Sequence, residues 1–132
     1  MIELYFIRHG KTYGNTLGRY IGITDESLCP EGRQALKSFR YPRVEAVYAS
    51  PMKRCLETAD LLWPELPIRC FEKLRECDFG EFENKNYQEL KDNPRYQAWV
   101  DSEGRMPFPG GERREDCQNR CCEGFREVWE EI

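Results

Sequence analysis

Three short runs of apolar, β-favouring residues, Ile2–Ile7, Val44–Ala49 and Ile68–Phe71, limit the fold most strongly, because the segments between them are long enough to carry a helix. Alternation of this kind predicts an α/β architecture: a three-layer sandwich with a mainly parallel sheet and helices on both faces. The first run, Ile-Glu-Leu-Tyr-Phe-Ile, is nearly continuous in apolar character, as expected of a central strand buried on both faces. Pro30 suits the first position of a helix reaching about Phe39, with Glu31 favourable in its first turn. Ser50 offers an N-cap and Pro51 a first residue for a second helix, which would run to Leu62 and bury Cys55 or Leu56, Ala59 and Leu62. Arg8–Cys29 reads as a loop with at most one helical turn.

Asn84–Pro109 is polar and aromatic, and Asn93-Pro94 divides it into two short helical pieces, Tyr87–Lys91 and Pro94–Val100. An excursion of this length, 84–109, is expected to form a cap or lid-like insertion within one domain spanning 1–132. Beyond Gly110-Gly111, the residues Cys117, Cys121, Phe125, Val128, Trp129 and Ile132 repeat at helical spacing and predict a last helix with one apolar stripe.

The formal net charge of −4 argues against nucleic acid or an anionic membrane as partner, since both need a surplus of Lys and Arg on one face. Small anionic substrates need only a few arginines at one place. Ile2–Ile7 is too short to span a bilayer and lacks the basic flank and cleavage site of a signal peptide, so a cytoplasmic location is expected. The seven cysteines lack the paired spacing of a zinc site, and most are expected to be reduced, small core residues. Of the cluster Cys117, Cys121 and Cys122, the last two point in different directions on a helix and the single histidine is far away in sequence, so no metal is expected.

In open α/β sheets, ligands bind beyond the carboxyl ends of the strands. Each of the three runs is followed there by groups capable of chemistry. Arg8-His9-Gly10-Lys11-Thr12, with Asn15 shortly beyond, follows the first, and Ser50-Pro51-Met52-Lys53-Arg54 the second. Leu74-Arg75-Glu76-Cys77-Asp78-Phe79-Gly80-Glu81-Phe82-Glu83 follows the third. Taken singly, a lone histidine is more often structural, Arg54 a solvated charge, Glu76 an exposed carboxylate and Asn15 a turn residue. Their shared position at strand ends favours one site containing a nucleophile, two guanidinium groups and a carboxylate.

Arg8-His9-Gly10-x-Thr12-x-x-Asn15 resembles the signature of the histidine phosphatase superfamily, whose fold is phosphoglycerate-mutase-like. Ser50-Pro-x-x-Arg54-x-x-x-Thr58-Ala59 is similar to its second motif, and Leu74-x-Glu76-x-x-x-Gly80-x-x-Glu83 to its third. The resemblance implies a phosphomonoester hydrolase in which His9 is the phosphoryl acceptor. Arg8, Arg54 and Asn15 would bind the phosphoryl oxygens, and Glu76 would exchange the proton with the leaving group and water. It implies no cofactor. Phe82 and Asn84 stand where the family often has Trp and Gly, and Cys29 where it has a Ser or Thr cap.

The third motif, together with Tyr20–Asp25, Tyr96–Trp99 and Pro109–Glu112, resembles the α-ribazole phosphatases of cobalamin synthesis. Sugar-phosphate and broad-specificity phosphatases carry similar motifs. Tyr96 and Trp99 have two readings, stacking on a substrate ring or packing the cap, and the second is the commoner for aromatics at helical spacing. The family's second histidine has no counterpart, because His9 is the only one. The expectation is therefore a domain truncated at its C-terminus, impaired in turnover and able to self-associate through an open sheet edge. The alternative is a relative that binds phospho-ligands without turning them over.

Overall fold

A computed structural model describes all residues, 1–132. Val47–Ala49 (β1) and Ile68–Cys70 (β2) form a parallel pair in the register Val47↔Ile68, Tyr48↔Arg69 and Ala49↔Cys70. A parallel pair needs a crossover, and Lys53–Leu62 (α3) supplies it, packing on both strands. Val47, Ala59 and Trp63 form the buried centre of this unit, with Tyr41, Val44, Leu62, Leu66 and Ile68 packed around them. Trp63 ends α3 and donates its indole N–H to the Pro42 carbonyl at 3.0 Å, so its polar edge is satisfied while its ring fills the core.

The remaining helices are Tyr13–Thr16 (α1), Pro30–Leu36 (α2), Tyr87–Leu90 (α4), Pro94–Asp101 (α5) and Arg114–Glu131 (α6). Single 3-10 turns lie at Glu72–Leu74 and Gly80–Phe82. α1 is the one helical turn expected in the first loop, and α4 and α5 meet at Asn93-Pro94, as the sequence predicts. Segment 84–109 contributes to a second core, in which Phe82, Leu90, Tyr96 and Phe108 are buried and Tyr20, Phe79 and Trp99 pack against them. Tyr96 stacks near-parallel to Trp99, which stacks in turn on Phe108. Packing is therefore the work of Tyr96 and Trp99 in this structure.

Three expectations change. The run Ile2–Ile7 is extended but has no ladder partner, and it is exposed, Ile2 by 55% and Phe6 by 80%. It lies across a cavity of about 920 Å³ from β1, lined by Met1–His9 on one side and Arg43–Ser50 on the other. A buried strand needs neighbours on both edges; here the Phe6 ring lies beside Phe125 of α6, with ring centroids 5.9 Å apart.

Ser50 does not cap α3. Its hydroxyl accepts from Met52 N at 3.4 Å, the helix starts at Lys53, and Asp25 caps it from a distance by accepting Lys53 N–H at 2.7 Å. α3 buries Arg54 and Thr58 together with Ala59, leaving Cys55, Leu56 and Leu62 only partly covered.

Most of the cysteines are reduced, as expected, but only Cys117 is fully buried. Cys77 and Cys117 form a disulfide, and of the five free thiols Cys70 and Cys122 are exposed and the others half-buried. No helix is long and apolar enough to cross a membrane.

Candidate active site

His9 leaves the extended first segment where Gly10 turns the chain into the body of the protein. Gly10 N–H donates to Thr58 Oγ1 at 3.0 Å, and Thr58 Oγ1–H donates to the Arg54 carbonyl at 2.7 Å. The first bond ties the histidine loop to α3 one turn beyond Arg54, and the second orients the Thr58 hydroxyl that receives it. The His9 Nδ1 lies 2.7 Å from the Gly10 carbonyl. A carbonyl only accepts, so Nδ1 carries the proton and Nε2 keeps its lone pair. Burial, followed by the nearby charges of Arg54 and Arg8, holds the His9 pKa below its ordinary value, against the Gly10 hydrogen bond and Glu76, which raise it. His9 is therefore a neutral imidazole with a free Nε2, within electrostatic reach of both arginines and of Glu76.

Arg54 is 1% exposed, and its guanidinium is anchored rather than free. Nη1 donates to Thr24 O at 2.8 Å, and Nη2 to Gly22 O at 2.8 Å and Ile21 O at 3.4 Å. Its Nε–H is buried with no partner in the chain. A buried donor left without a partner is costly.

The loop that supplies these carbonyls is held by Glu83. Its carboxylate accepts from Gly22 N at 2.9 Å, Thr24 N at 3.0 Å and Thr24 Oγ1 at 2.6 Å. That loop abuts the Glu76 segment so closely that a Cβ on Gly22 would stand 2.1 Å from the Cys77 carbonyl. Glu83 and Thr58 are positioning residues that the motifs contain but whose targets only the fold reveals.

Arg8 is exposed and makes no ion pair or hydrogen bond within the chain, so its full fork is available. Glu76 is exposed, and its Oε1 accepts only from Cys77 N at 2.8 Å. It lines a second, smaller cavity of about 190 Å³ with Gly22, Met52, Arg75, Asp78, Glu112 and Arg120. Asn15 is engaged within its own helical turn. Its Oδ1 accepts Thr12 N at 3.0 Å while Thr12 Oγ1 accepts Asn15 N at 3.2 Å, a capping box for α1 that leaves only Nδ2 unbonded. The structure thus gathers His9, Arg8, Arg54 and Glu76, and assigns Asn15 first to its own helix.

The third-motif glycine has a steric cause. Gly80 has φ of 55°, and a Cβ there would lie 2.2 Å from the Pro109 carbonyl. Asn84 also has a positive φ, 58°, which explains how Asn serves where relatives often have Gly. Cys29 replaces a hydroxyl cap directly, its Sγ accepting Gly32 N–H at 3.3 Å.

Phosphoserine phosphatase 1 of Hydrogenobacter thermophilus is 27% identical over 96% of this chain and 64% of its own length. The human 6-phosphofructo-2-kinase/fructose-2,6-bisphosphatase 4 is 34% identical over 89% of this chain and 26% of its own. Among solved structures, the α-ribazole phosphatase of Shigella flexneri superposes with a TM-score of 0.81 at 26% identity, over 94% of this chain and 65% of its own. The chain thus spans somewhat under two thirds of the length of these phosphatases, and much less of the bifunctional one. It shares the α/β fold of the superposed phosphatase, with helices and a parallel sheet. The sequence model of the histidine phosphatase superfamily (branch 1) matches residues 4–131, nearly the whole chain, and the chain belongs to that superfamily.

Proposed function

We propose that the chain carries the phosphoryl-accepting half of a phosphomonoester hydrolase that works through phosphohistidine. The observation behind this reading is His9 itself: a neutral imidazole whose Nδ1–H is bound to Gly10 O, whose Nε2 is free, and whose charged neighbours are Arg8, Arg54 and Glu76. The Nε2 lone pair attacks phosphorus, a P–N bond forms, and the P–O bond to the leaving group breaks. Glu76, entering as the acid, gives its proton to the departing oxygen. It then takes a proton from water, whose oxygen attacks phosphorus, breaks the P–N bond and releases inorganic phosphate and neutral His9. The Arg8 fork and the Arg54 guanidinium, with Asn15 Nδ2 as a neutral donor, bind the phosphoryl oxygens as charge spreads over them.

The substrate favoured within this reading is α-ribazole 5′-phosphate. Likeness to a solved α-ribazole phosphatase supports it, as do the third-motif residues and the Pro109–Glu112 turn, whose Glu112 lines the cavity beside Glu76.

Vanadate, an oxyanion that adopts the geometry of the transferring phosphoryl group, tests the shared site. Titrated against the chain, it should shift the single imidazole resonance. Arg54→Ala should weaken its binding by about 1.5–3 kcal/mol, the loss of one charged donor. Equal affinity in the variant would separate Arg54 from the oxyanion site.

A further inference from the structure

The Glu76 carboxylate is exposed and bonded only to the neighbouring N–H, so its position depends on the backbone that carries it. Arg120 makes most of the side-chain hydrogen bonds to that backbone. Arg120, on α6, directs all five of its N–H groups to oxygen: Nη1 to the carbonyls of Lys73 at 2.9 Å and Arg75 at 2.8 Å, and Nη2 to the Glu76 carbonyl at 3.1 Å and Glu112 Oε1 at 3.0 Å. Nε donates to Glu112 Oε2 at 3.1 Å. Glu112 Oε1 also accepts Asp78 N–H at 2.8 Å, so the ion pair grips the chain on both sides of Glu76. The Cys77–Cys117 disulfide links the same segment to α6 one turn earlier.

Resting on the reading of Glu76 as the proton donor, we propose that the Arg120–Glu112 pair is the positioning device for that carboxylate, setting where it delivers its proton without touching substrate. The pair faces the cavity shared with Glu76, so it also shapes the wall on the leaving-group side. The planar fork is essential, since a lysine ammonium would not reach three carbonyls and a carboxylate in one plane. The charges reinforce one another: hydrogen bonding to Glu112 raises the Arg120 pKa, and hydrogen bonding to Arg120 lowers that of Glu112.

Leaving-group dependence distinguishes positioning from mere support of the fold. An alkyl phosphate needs its leaving oxygen protonated, whereas an aryl phosphate scarcely does. Single-turnover rates for both esters should be measured on the chain and on Arg120→Gln, Glu112→Gln, Arg120→Lys, Glu76→Gln and the double variant Glu76→Gln/Arg120→Gln. Glu76→Gln should slow the alkyl ester by about 100-fold or more and the aryl ester far less. Arg120→Gln should show the same selectivity at about 10- to 100-fold, with vanadate affinity unchanged and no further loss in the double variant. Arg120→Lys should not restore the alkyl rate.

If Arg120→Gln is poorly folded, Glu112→Gln, which keeps size and removes the anion, should give the same selective loss. Equal losses on both esters in Arg120→Gln and Glu112→Gln, or multiplicative losses in the double variant, would overturn the positioning role while leaving Glu76 as the acid. Absence of leaving-group dependence in Glu76→Gln would remove the acid role itself, and the positioning role with it.

Discussion

At His9 the local sequence identified the residue but not its state. A lone histidine after an apolar run is legible as a candidate; its tautomer depends on the Gly10 carbonyl, and its protonation on Arg54, folded in from 45 residues away in sequence. Because burial lowers its pKa, folded His9 titrates below about 6.5. Under the proposed mechanism the nucleophile is then neutral at pH 7, and the His9 limb of the activity profile falls as acid reaches the lowered value. The stability linkage has the same direction. The unfolded chain takes up a proton on His9 more readily than the folded one, so the His9 contribution is complete above about pH 6.5 and is lost as pH falls through the lowered folded pKa. With one histidine in the chain, its proton resonance can be followed by NMR without assignment; a midpoint at or above 6.5 would contradict the described environment. Arg54 was legible as a candidate phosphate ligand by motif only. Its burial on three backbone carbonyls was not, because the acceptors lie in a loop that Glu83 shapes.

Elements were read well where local chemistry decides them. Pro30 at the first position gives α2, Asn93-Pro94 separates α4 from α5, and the apolar spacing gives α6. They were misread where a distant group intervenes: Ser50-Pro51 has the form of a helix start, yet Asp25 takes the α3 cap and moves that start to Lys53. α2 tests how far local chemistry carries. Sulfur is a weaker acceptor than a hydroxyl oxygen, so Cys29→Ser should stabilise the chain by about 0.5 kcal/mol and Cys29→Ala should destabilise it by about 0.5–1 kcal/mol. Urea unfolding midpoints would show this order, and a serine variant less stable than the alanine one would refute the sulfur cap. The apolar stripe of α6 is only partly used. Cys117 and Val128 are buried while Trp129 is half exposed, since the helix lies against the Glu72–Leu74 turn and the cavity rather than a closed sheet.

The parallel α/β class was legible for the whole molecule because alternation of apolar runs and helices has few other solutions. The burial of Ile2–Ile7 was not, because it depends on partners that a local run does not specify; in the structure the segment borders an apolar cavity of about 920 Å³. Exposed apolar surface of this extent promotes association, so sedimentation velocity on the chain should show oligomers growing with concentration, and Phe6→Ser should reduce them. A monomer at every concentration would refute this. The central claim is that His9 accepts the phosphoryl group, and trapping the chain with a phosphomonoester under alkaline quench tests it most directly. The account predicts covalent phosphate that is acid-labile and base-stable, maps to the peptide containing His9, and is absent from His9→Ala. Phosphate that survives in His9→Ala, or maps to another residue, would contradict it.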